Sequence, residues 1–142
     1  MFEIEMNQEL VEEHERLSST LLDAISKSVQ ELTPEVTDGI LAASFISDEE
    51  MQELNKKYRQ KDSTTDVLSF SYISKEDTGE TLGDVVISLE QARQQAKNHS
   101  LKDEVITLLV HGILHVFGYD HENETDAEKM LPLQDKIVSN LK

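Results

Sequence analysis

The chain has 142 residues, 37% of them hydrophobic, with a formal net charge of −16 and no cysteine. That length suits one domain, residues 1–142, with a sizeable core and no room for a second. The missing cysteine excludes disulfides and thiolate metal sites, so a tight metal site has to come from His, Asp or Glu.

Phe2 to Met6, "FEIEM", alternates apolar and polar residues and predicts a half-buried strand. A long amphipathic helix is expected from Gln8 to Glu31, with Leu10, Leu17, Leu21, Ile25 and Val29 on one stripe, ended by "TPE" at 33–35. "GILAASFIS" (39–47) reads as a buried strand, and Ser47 with Glu50 forms a capping box that opens a helix to about Gln60. Strand formers fill "TDVLSFSYI" (65–73) and "LGDVVIS" (82–88), with the polar turn "SKEDTGE" between them. Ser88 with Gln91 makes a second box, and its helix, running to about Asn98, sets Arg93 and Lys97 one turn apart. Lys102 to Phe117 is apolar nearly all round, as an enclosed central helix is, and Gly118 suits a left-handed stop. Thr125 with Glu128 leads a last helix to about Leu141, bent or interrupted near Pro132. The pattern predicts an α+β domain: a small mixed sheet of about four strands, packed with helices around one histidine-bearing helix.

No apolar run is long enough to cross a bilayer, and "MFEIEMNQEL" lacks the basic start and apolar stretch of a secretory signal, so a cytoplasmic protein with no membrane partner is expected. The acidic balance, taken alone, argues against nucleic acid. Yet it is uneven. The first fifty residues hold thirteen Asp and Glu against Arg16 and Lys27, whereas eight of the thirteen basic residues lie between Lys56 and Lys102. "KKYRQK", taken by itself, reads as a solvated helix face.

Three of the five histidines fall in "HGILHVFGYDH" (111–121). Four residues apart on a helix, His111 and His115 share one face and can share one ion. If the chain reverses at Gly118, His121 returns to complete a three-histidine set with an open position, the pattern of catalytic zinc. Three unpartnered imidazoles in an oily helix would be costly to bury, and a metal satisfies all of them. Zinc peptidases of the H-E-x-x-H type carry a glutamate after the first histidine as general base, and here that place is Gly112. Proton handling then falls to water activated by the ion or to the substrate itself, which disfavours a peptidase. Gly112 either leaves room for a bulky substrate backbone or allows close helix packing. Phosphodiester cleavage fits better, with a guanidinium to stabilise charge on phosphate, and Arg59 is the candidate.

These residues resemble a known family. "HGILHVFGYDH" is similar to the H-G-x-L-H-x-x-G-Y-D-H signature of the YbeY family, bacterial rRNA maturation factors described as zinc-dependent, single-strand-specific endoribonucleases. "LNKKYRQKDSTTDVLSF" (54–70) and "LGDVVIS" resemble further family segments, so the likeness covers about residues 40–142. The resemblance implies that His111, His115 and His121 hold one Zn²⁺ per chain, that Arg59 faces the metal cleft, and that Thr65 to Phe70 line it. It also implies a metalloprotease-like helix and sheet. The family pattern often has proline where this chain has Thr64 and Ser71. Asp66 and Ser69 either orient substrate or hold the strand, and Asp120 is a candidate to orient a ligand imidazole. Nickel or another divalent ion could use the same ligands. The implied partners are single-stranded rRNA and the ribosome, with a possible protein partner; no DNA is expected. The competing expectation is a non-catalytic ribosome assembly factor whose zinc is structural.

Overall fold

In the computed structural model, residues 2–32, 38–73, 81–119 and 124–141 are described, with side chains of 124–129 set aside. Four strands form one sheet: β1 (Glu3–Asn7), β2 (Ile40–Ile46), β3 (Val67–Ser71) and β4 (Thr81–Ser88). Their order across the sheet is β1-β2-β4-β3. β2 runs parallel to β1 and to β4, whereas β3 returns antiparallel along β4, with Val67 opposite Ile87 and Ser71 opposite Gly83. The helices are α1 (Ser19–Leu32), α2 (Asp48–Arg59), α3 (Leu89–Gln95), α4 (Leu101–Val116) and α5 (Glu124–Asn140). The expected mixed α+β architecture is what the chain adopts.

Alternation along the strands sorts the two faces of the sheet. Leu41 and Phe45 of β2 and Val85 and Ile87 of β4 are buried in one core with Ile25 and Val29 of α1, Leu109 and Ile113 of α4, and Met130 and Ile137 of α5. Phe70 lies on the opposite face, where its ring meets Tyr58 of α2 edge-on at 5.2 Å between centroids. Tyr72 donates its hydroxyl to Asp84 at 2.7 Å, and this bond, aided by burial and by the Asp84 charge, pushes the phenol up to about 12.

The expected helix from Gln8 does not form before Ser19. Gln8 instead pairs with Leu17 as a strand neighbour would: its Nε2 donates to the Leu17 carbonyl at 2.9 Å and its Oε1 accepts the Leu17 N–H at 2.8 Å. A short 3-10 turn, Glu13–Glu15, bridges the two, and Ser18 accepts the Leu21 N–H at 3.1 Å to open α1. Leu10, placed on the stripe by its spacing, is 56% exposed.

Other boundaries shift for local reasons. Ser47 and Ser88 cap α2 and α3 as expected, accepting from Glu50 N–H and Gln91 N–H. α3 stops at Gln95, short of Lys97, and Arg93 pairs with Glu15 at 3.2 Å rather than standing in a basic row. α4 starts one residue early because Ser100 accepts the Asp103 N–H at 3.1 Å. α5 continues through Pro132 as one helix from Glu124, so Thr125 falls inside its first turn; the side chains of the Thr125 and Glu128 box lie outside the described residues. No helix among the described residues is long and apolar enough to cross a membrane.

Candidate functional site

α4 is held against the sheet at its C-terminal half, and that contact places the histidines. A Cβ on Gly112 would lie 2.6 Å from Val85 Cγ1, and one on Gly83 would lie 2.6 Å from Val116 Cγ1. Both glycines therefore permit close approach of helix and strand. Gly112 serves packing rather than room for substrate, and a glutamate there would be driven into Val85. The base of the H-E-x-x-H type has no place in this helix.

β3, next to β4 in the sheet, binds the same face of α4. The Ser69 hydroxyl donates to the Gly112 carbonyl at 3.0 Å, and the Ser71 hydroxyl to the Val116 carbonyl at 2.7 Å. Ser69 thus holds strand to helix. Within the antiparallel pair, Ser88 N–H donates to Asp66 C=O and Tyr72 N–H to Leu82 C=O, both at 2.9 Å. Even-numbered residues of β3 consequently bond to β4, and the main chain of Val67, Ser69 and Ser71 turns to the outer edge. The Asp66 carboxylate accepts from Val67 N–H at 2.8 Å and from Gln95 Nε2 at 3.3 Å, so it also ties down the strand's entry.

A cleft of about 1030 Å³ runs along this edge, lined by β3, by His111 and His115, and by Arg59 and Lys61. Arg59 is exposed and is the last residue of α2; Gln60 follows in the left-handed conformation, at φ 56°. The returning segment is pinned underneath: buried Asn55 donates to the Ser63 carbonyl at 2.8 Å, and Thr64 donates its hydroxyl to Asp48. Asp48 also accepts from Ser88 at 3.1 Å and from Gln91 Nε2 at 3.1 Å. The Thr64 bond foremost, then those from Gln91 and Ser88, hold the Asp48 carboxyl below its usual value against partial desolvation.

The positive character of the cleft is narrower than the count of basic residues suggests. Lys56 lies 3.9 Å from Asp62, Lys57 sits over the Tyr58 ring and Arg93 is paired with Glu15. Arg59 and Lys61 are the described cations that reach the cleft wall.

His111 and His115 present their Nε2 atoms to each other at 3.2 Å. Two Zn–N bonds of about 2.0–2.1 Å at a near-tetrahedral angle would separate their nitrogens by about 3.3–3.4 Å. The pair therefore fits a shared divalent ion, and imidazole suits zinc as well as other late transition metals. α4 ends as expected at Gly118, whose φ is +98°. Gly118 N–H donates to His115 C=O and Tyr119 N–H to Leu114 C=O, both at 3.0 Å, the two bonds of a Schellman stop. His121, the third expected ligand, and Asp120 lie outside the described residues. Gln134 was not among the expected site residues: its side-chain carbonyl oxygen lies 2.7 Å from His111 Nδ1.

The family model for Endoribonuclease YbeY matches residues 3–142. A Carboxydothermus hydrogenoformans protein named Endoribonuclease YbeY is 42% identical over 99% of this chain and 97% of its own length. A relative of the same name from a Sulfurihydrogenibium species is 45% identical over 85% of this chain and 81% of its own. Among solved structures, the solution structure of a Thermotoga maritima protein superposes with a TM-score of 0.59 at 26% identity, covering 99% of this chain and 89% of that one. With nearly the whole chain matched, and His111 and His115 set on a helix beside an edge strand, the protein belongs to the endoribonuclease YbeY family.

Proposed function

We propose that this protein, as one hydrolase domain over residues 1–142, is a metal-dependent endoribonuclease that cuts single-stranded rRNA segments during ribosome maturation in the cytoplasm. Family membership supports the endoribonuclease activity. The observation that carries the metal reading is the 3.2 Å pair of Nε2 atoms opening on a cleft that Arg59 and Lys61 also line. His111 and His115, with His121 as third ligand, would hold one Zn²⁺. Bound there, the ion would supply Lewis-acid polarisation of a phosphoryl oxygen.

The chain's own residues supply the rest. Arg59 presents a planar fork of donors that matches phosphate oxygens. Its exposed position at the end of α2, on the wall of the cleft, places it where a substrate backbone can meet it. Lys61 adds a second positive charge on the same wall. The edge of β3 forms the floor beside the histidines, and the two serine bonds keep strand and helix in one register while the strand is occupied. Two cleft cations among the described residues, on a body of net charge −16, give modest attraction for RNA, so productive recognition draws on the ribosome or a protein partner.

The deciding experiment strips the purified protein with a chelator and restores it with Zn²⁺. Cleavage of a single-stranded RNA should vanish and return, while the same sequence in duplex form stays intact. Undiminished cleavage by metal-free protein would end the metal reading, and hydrolysis of peptides in its place would redirect it to a protease.

A further inference from the structure

We infer that Gln134 is a positioning residue that fixes the ring orientation and tautomer of His111, so that Nε2 offers its lone pair toward the metal; this rests on the metal-site reading above. Met130, Gln134 and Ile137 lie at i, i+4 and i+7 on α5, on one face of the helix. Met130 and Ile137 are fully buried in the core that α5 shares with α4. Gln134 is thus a half-buried polar side chain set into an apolar stripe, and the part of its amide withdrawn from water is best satisfied by a hydrogen bond. Its Oε1 meets His111 Nδ1 at 2.7 Å across the two helices.

A carbonyl oxygen only accepts, so the proton of this bond belongs to Nδ1. A neutral imidazole carries one ring proton, which leaves Nε2 bare. That is the atom turned toward His115 Nε2. With the amide oxygen turned to the ring, as here, the opposite tautomer would set lone pair against lone pair at Nδ1 and Oε1, and an Nε2 proton would occupy the direction that ligation needs. Ligating histidines commonly have their second nitrogen held by an acceptor, and losing that acceptor weakens metal binding by about 10–100-fold. The partners are 23 positions apart in the chain, so the docking of α5 on α4 decides the tautomer of a helix-borne ligand.

Two readouts that use no RNA test this. Zn²⁺ affinity, measured by competition with a chromophoric chelator, should fall by about 10–100-fold in Gln134→Leu and stay close to wild type in Gln134→Glu, whose carboxylate accepts the same proton. Long-range ¹H–¹⁵N spectra of the metal-free wild type, recorded at alkaline pH, should show Nδ1 protonated and Nε2 bare; Gln134→Leu should lose that bias. Wild-type affinity in a folded Gln134→Leu protein, or a proton on Nε2 in the wild-type spectrum, would overturn the inference. The spectrum decides even if the leucine variant does not fold. A protein that binds Zn²⁺ through His111 but cuts no RNA would defeat the nuclease reading and leave this one standing.

Discussion

Ser69 on β3 reaches across to the carbonyl of Gly112 on α4 at 3.0 Å, and Ser71 repeats the contact with Val116 at 2.7 Å. The repeat works because two residues of strand advance about 6.6 Å and four residues of helix about 6 Å. Strand and helix therefore stay in step over this stretch, and each bonded carbonyl belongs to the residue after a histidine. The tie sets the height of His111 and His115 along the edge. Removing either hydroxyl, as Ser69→Ala or Ser71→Ala, should lower the unfolding free energy by about 1 kcal/mol. Urea titrations of the two single variants and the double variant would measure it, and unchanged midpoints in all three would show the ties to be idle.

Close packing at Gly112 leads to a second expectation. Alanine is favoured over glycine inside a helix by about 1 kcal/mol, but a Cβ 2.6 Å from the stiff, branched Val85 introduces overpacking that typically costs about 1–3 kcal/mol. Gly112→Ala should therefore be destabilising on balance. Adding Val85→Ala should relieve part of the loss, giving a double variant less destabilised than the sum of the two singles. Gly112→Glu should yield no peptidase, only a protein that unfolds or expresses poorly.

Acid sensitivity follows from the knot around Asp48. Its carboxyl is held below the ordinary 3.8 by Thr64 foremost and by Gln91 and Ser88. A lowered folded-state value means that the stabilisation is fully present above the unfolded value and is lost as pH falls through the folded one. Asp48→Asn should thus be less stable than wild type at neutral pH, with the gap closing as pH drops below about 4. Denaturant midpoints of both proteins at pH 6 and pH 3 test this, and a gap that widens toward acid would reverse the sign. Thr64, where the family pattern often has proline, is the hydroxyl at the centre of the knot, so Thr64→Val should remove most of the same effect.

What could be read from the chain alone divides along a physical line. His111, His115 and Gly118 declared themselves because helix spacing and a left-handed stop are local properties, set within one or two turns. The strands of the mixed sheet were legible for the same reason. The stretch from Gln8 to Ser18 misled because its leucines keep helical spacing, while the Gln8 amide pairs with Leu17 backbone across nine residues. Periodicity has no means of registering that contact. Gln134 left a faint trace, a glutamine within the stripe marked by Met130 and Ile137, but its partner His111 is on another helix. The basic count between Lys56 and Lys102 overstated the cleft's charge because Lys56 and Arg93 meet acidic partners that only folding brings near.

Arg59 gives the sharpest functional test, because its exposure separates chemistry from folding. Arg59→Ala should melt like wild type and keep its Zn²⁺, yet lose about 10²–10³-fold in kcat/KM on single-stranded RNA, the usual loss when a donor to developing charge is removed. Arg59→Lys should recover little, since a point charge cannot reproduce bidentate contact with phosphate. Wild-type cleavage should also weaken as salt is raised, and the slope should be shallower in Arg59→Ala because one phosphate contact is gone. Full turnover in the alanine variant would remove Arg59 from the reaction, and a wild-type rate indifferent to salt would remove phosphate steering altogether.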